Sequence, residues 1–110
     1  MKFVISREAL LRPLQLVAGV VEKRQTLPVL SNVLLDVKGQ QLSLTGTDLE
    51  VELVARVALE EVTMEGEITV PGKKLMDIVR SLPDGSMIEF EQDEQRINVR
   101  SGRSRFTLSS

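Results

Sequence analysis

The chain has 110 residues, 42% of them hydrophobic and 27% charged, with a formal net charge of -2 at pH 7. That length suits one domain with a core of its own, and no apolar run approaches the ~18 residues that a membrane span needs. With no histidine and no cysteine, a His-based triad, a His metal site, a disulfide framework and thiolate chemistry are all excluded. The start, MKFVISREALL, lacks the apolar stretch of a signal peptide, so a cytoplasmic protein is expected. Phe3, Phe90 and Phe106 are the only aromatic residues, which argues against a single-strand binder that stacks bases on aromatic platforms.

In chain order, KFVIS reads as a short strand, and Ser6 as the N-cap of a helix with Ile5 stapled onto Leu10. Leu10, Leu14, Val17 and Val21, spaced four, three and four, form one helical stripe. Pro13 conflicts with it, since an interior proline removes a backbone hydrogen bond at a cost of about 3 kcal/mol; a helix kinked near Ala9–Pro13 is expected. EKRQTLP reads as a polar loop. NVLLDV, QLSLTG and LEVELVARVAL read as three strands parted by turns at Lys38-Gly39 and Gly46-Thr47, the third half-buried by its alternation. EEVTMEG reads as an acidic loop.

The order then repeats. EITVP is a strand, and GKKLMDIVRSL a helix with Leu75, Ile78, Val79 and Leu82 on one stripe. After a turn at Pro83–Gly85 come the strands SMIEFEQ, QRINVRS and RSRFTLS. The expected fold class is therefore α+β: a duplicated β-α-β-β-β unit with a period near 65 residues, two helices side by side and packed on antiparallel sheets.

Charge is segregated along this order. Residues 1–24 carry +3, 25–71 carry -6, 72–82 carry +2, 83–94 carry -5 and 95–110 carry +4. Both helices fall in basic stretches, so their polar faces would merge into one basic surface.

Candidate sites are few. Asp48, Glu50 and Glu52 share one face of a strand and could clasp a hard cation, but no glycine-bearing calcium loop surrounds them and a solvated row explains them. GTD and PGKK lack P-loop spacing, and nothing favours paired acids for glycoside chemistry. The basic helices suit solubility or sequence-blind phosphate contact. In the tail, period two puts Arg103, Arg105, Thr107 and Ser109 on one face and Phe106 and Leu108 on the other. Phosphate binding, pairing with a partner strand, and an ordinary strand with its own core residues all remain open on spacing.

RQTLPVLSNVLL, LSLTGTDLEVELVARV, ITVPGKKLMDIVRSLP and VRSGRSRFTLS resemble the bacterial sliding clamp family, the beta subunit of DNA polymerase III. The likeness runs from Met1 to Ser110, and TGTDLE and SGRSRF at this separation are its most specific parts. It implies the DNA-clamp fold, with the chain as the first of three domains and two subunits closing into a ring on duplex DNA to act as a polymerase processivity factor. It also implies no catalytic residue, cofactor, metal or membrane. DNA contacts would fall to Arg24 and Lys73, and the joint with the third domain of a second subunit to Lys74, Ile78, Arg96, Arg103, Arg105, Phe106 and Leu108. Polymerase and clamp loader would bind to the domains beyond residue 110. The alternative is a protein-interaction domain whose basic edge strand takes an acidic partner without touching DNA.

Overall fold

The computed structural model describes residues 1–22, 32–47 and 52–109. Its elements are β1 (Lys2–Ser6), α1 (Arg7–Glu22), β2 (Asn32–Lys38), β3 (Gln41–Thr47), β4 (Glu52–Ala58), β5 (Glu61–Met64), β6 (Gly66–Pro71), α2 (Gly72–Ser81), β7 (Met87–Asp93), β8 (Arg96–Ser101) and β9 (Ser104–Ser109). They form two antiparallel sheets, β5-β1-β7-β8-β9 and β4-β3-β2-β6, with α1 and α2 packed against each other. The α+β class and the two-helix, two-sheet plan are those expected from the sequence.

The two units are interlocked rather than laid side by side. β1 pairs with β7 and β6 pairs with β2, so each unit lends its first strand to the other's meander. The repeat is also less regular than a fixed period. β1 and α1 lie 64 and 65 residues before β6 and α2 (Lys2 to Gly66, Arg7 to Gly72), but β2 and β3 lie only 55 before β7 and β8 (Asn32 to Met87, Gln41 to Arg96). Part of the difference is the helix itself, 16 residues in α1 against 10 in α2.

Ser6 caps α1 as its position suggests, its hydroxyl accepting the Ala9 N–H at 3.2 Å. Leu10, Leu14 and Val17 are buried and α1 runs on through Pro13; the side chain of Val21 lies outside the described residues. The packing of this stripe against α2, β3 and β4 offsets the proline, since each fully buried leucine contributes about 1.5–3 kcal/mol.

Three local readings are corrected. Glu61–Met64 is not a loop but the outer strand of the five-stranded sheet, held by pairing with β1, where Val62 meets the buried Phe3. Gly46 and Thr47 do not turn: Gly46 continues the inward row of Leu42 and Leu44 and lies opposite Leu53. On α2 the buried row is Gly72, Leu75, Met76 and Val79, with Leu82 just beyond, while Ile78 is only partly buried. The core holds no buried polar or charged side chain among the described residues, and Phe3 and Phe90 stack at its centre, 4.8 Å apart.

Candidate functional site

The helix face carries less free charge than the sequence suggests. Of the basic groups near the start of the chain, Lys2 pairs with Glu91 at 3.3 Å, and Arg7 turns inward to the Val79 carbonyl at 3.0 Å. Arg12 remains exposed on α1. On α2, Lys73, Asp77 and Arg80 lie four and three residues apart on one exposed stripe, with Lys74 beside them. Lys73 and Arg80 have no ion-pair partner among the described residues. Arg24 lies outside the described residues, as do Asp48 and Glu50 of the acidic row. Among the described residues no group of three or more acidic side chains could hold a metal ion.

The second feature is an open sheet edge. β9 pairs with β8 on one side and with no described strand on the other. Arg105 stands on its exposed face, and Phe106 is partly buried beneath. Leu108 is 4% exposed and belongs to this domain's own core, so Phe106 and Ile78 are the apolar residues left for contact at this edge. Arg103 lies in the β8–β9 turn rather than in the strand, after Gly102, whose φ of +58° suits a primed hairpin turn. Arg96 pairs across to Ser109, so Arg96 and Arg103 bracket β9 at opposite ends. α2 touches β9, which brings the helix carrying Lys74 and Ile78 against the same edge.

Arg100 is held within the domain by Glu89 at 2.6 Å and Glu91 at 3.1 Å. The signal was legible: two acids at alternate positions on the neighbouring strand face one arginine. The stripe joining Lys73 to Arg80 could have been found the same way, from its helical spacing.

A fold of two helices against two meanders, each completed by the other unit's first strand, defines a class of domain that solved structures share. A crystal structure of a sliding clamp from Pseudomonas aeruginosa superposes with a TM-score of 0.93 at 71% identity, covering 99% of this chain and 30% of that one. A Caulobacter crescentus polymerase III beta structure matches at 0.92 and 43% identity, covering 29% of that chain. The beta sliding clamps of Pseudomonas putida and Escherichia coli K12 are 72% and 54% identical over all 110 residues. The chain spans about 30% of the length of these relatives. The family model of the DNA polymerase III beta subunit, N-terminal domain, matches residues 1–110, and the chain belongs to that family.

Proposed function

We propose that this chain is the first domain of a three-domain, ring-shaped clamp that encircles duplex DNA and confers processivity on a replicative polymerase in the cytoplasm. The observation that carries the reading is the match of all 110 residues, at 72% identity, to a protein named a beta sliding clamp. The domain supplies no chemistry of its own. Arg24 and Lys73 contact the phosphate backbone without reading sequence, which suits a ring that must slide. The β9 edge, with Lys74, Ile78, Arg96, Arg103, Arg105 and Phe106, joins the third domain of a second subunit, and Leu108 supports that edge from within. Polymerase and clamp loader engage the remaining domains.

The test is topological. The full-length protein, assembled on closed circular duplex, should stay bound at high salt and be lost when the circle is linearised. Equal retention on both forms would reject encirclement. A second reading, a protein-interaction domain without DNA contact, draws on the exposed Arg103 and Arg105 at the open edge. It requires an acidic partner strand and no response to duplex.

A further inference from the structure

The exposed stripe of α2 is not purely basic. Asp77 is the only acid in the helix, and it falls between Lys73 and Arg80 on the side away from the buried Gly72, Leu75, Met76 and Val79. At 1.5 Å of rise per residue, Lys73 and Arg80 are about 10 Å apart along the axis, and Asp77 lies about 6 Å from the first and 4.5 Å from the second. The fold asks little of this carboxylate. As the sixth of 10 residues it is too far from the start of α2 to cap it or to gain from its dipole. It has no hydrogen bond or ion pair among the described residues. Lys73 four residues ahead of Asp77 is also the weaker order for a helical ion pair.

We propose that Asp77 is a brake on phosphate binding by α2: set between Lys73 and Arg80, its carboxylate repels the backbone that those two cations attract, and so keeps the ring loose enough to slide. The inference rests on the DNA-encircling reading above. A phosphate within reach of Lys73 or Arg80 lies roughly 6–8 Å from this carboxylate. Two like charges at that separation in water weaken binding by a factor of about two to three at low salt. The effect is local, because screening at 0.1 M salt removes most of it beyond about 10 Å. Glu67 makes the internal contrast: it is exposed opposite Asp36, on the face of the β2–β6 pair turned away from the core, and carries the same charge.

The test uses the full-length protein, its affinity for a short linear duplex at low salt, and its diffusion along a long duplex after loading. Asp77→Asn should tighten binding about two- to fivefold and slow diffusion by a similar factor, with the gain fading as salt rises. Asp77→Glu keeps the charge and should bind as wild type does, which separates charge from any local change in the helix. Glu67→Gln makes the same change in net charge and should alter neither quantity. Lys73→Met is the reference for the surface and should weaken binding. Unchanged affinity and diffusion in Asp77→Asn, with binding weakened in Lys73→Met, would overturn the proposal and leave the duplex-facing reading standing. Equal tightening in Glu67→Gln would make the effect one of net charge and overturn it too. No change in either Asp77→Asn or Lys73→Met would reject the duplex-facing reading, and the proposal with it.

Discussion

Arg100 and Arg105 stand directly opposite each other on β8 and β9. Arg100 is answered by Glu89 and Glu91 from the other side, whereas Arg105 has no ion-pair partner among the described residues. Like charges facing across an antiparallel pair are destabilising by a few tenths of a kcal/mol to about 1 kcal/mol. The domain therefore ends its sheet on a cation that a further strand carrying an acid would satisfy.

Arg105→Glu should consequently act in opposite directions on the domain and on the assembly. Within the domain it turns a repulsive pair into an attractive one and should raise stability by about 0.2–1 kcal/mol in urea unfolding. In the full-length protein it should weaken subunit association in sedimentation experiments if, as proposed, the β9 edge joins an acidic face of a second subunit, where a new carboxylate adds repulsion. Unchanged association would remove Arg105 from the joint.

Phe90→Ala should cost about 3–5 kcal/mol in the same unfolding assay. Phe3 and Phe90 are cross-strand partners, each about 1% exposed, and their rings lie 9° from parallel. A loss below about 1 kcal/mol would mean that the centre of this sheet repacks freely.

Glu8 gives a pH-dependent term of defined sign. Its carboxyl is held below the ordinary glutamate value, chiefly by the hydrogen bond from Arg7, which outweighs the opposing effect of desolvation, with a lesser lowering from the Gly85 N–H. A depressed carboxylate stabilises the fold fully above its unfolded pKa, and that contribution is lost as pH falls through the folded pKa. Wild type should therefore exceed Glu8→Gln in melting temperature at neutral pH, with the difference vanishing on the acid side of the normal glutamate range. A difference that persisted there would contradict the assignment.

The two hairpins of the five-stranded sheet make an internal comparison. Gly102 opens the β8–β9 turn at φ +58°, and Glu94 takes the matching place in the β7–β8 turn at φ +57°. A side chain in this region is strained by about 1 kcal/mol, so Glu94→Gly should leave stability unchanged or raise it in thermal unfolding, whereas Gly102→Val should lower it.

Much of this architecture was legible in local pattern. The Ser6 cap, the Leu10–Leu14–Val17 stripe and the alternation along β2, β7 and β8 follow from side-chain period alone. What could not be read locally depends on tertiary pairing. Glu61–Met64 is acidic with one inward anchor, Val62, and becomes a strand because β1 lies beside it. Gly46 carries the local signal of a turn residue, and only the pairing of β3 with β4 puts it in the inward row of Leu42 and Leu44. The exchange of β1 and β6 between units is a property of sheet order, which no single segment encodes. At the candidate site, spacing does not tell that Arg7 and Arg100 are bound within the domain while Lys73 and Arg105 have no ion-pair partner among the described residues, because the partners of Arg7 and Arg100 lie on other elements.

The most direct measurement of the central claim is duplex association by the full-length protein carrying Arg24→Glu and Lys73→Glu together. If the helix face meets DNA, the double variant should lose affinity for duplex at low salt, and its dependence on salt should flatten by about two phosphate contacts. Wild-type affinity with an undiminished salt slope would contradict the account and place the DNA surface elsewhere.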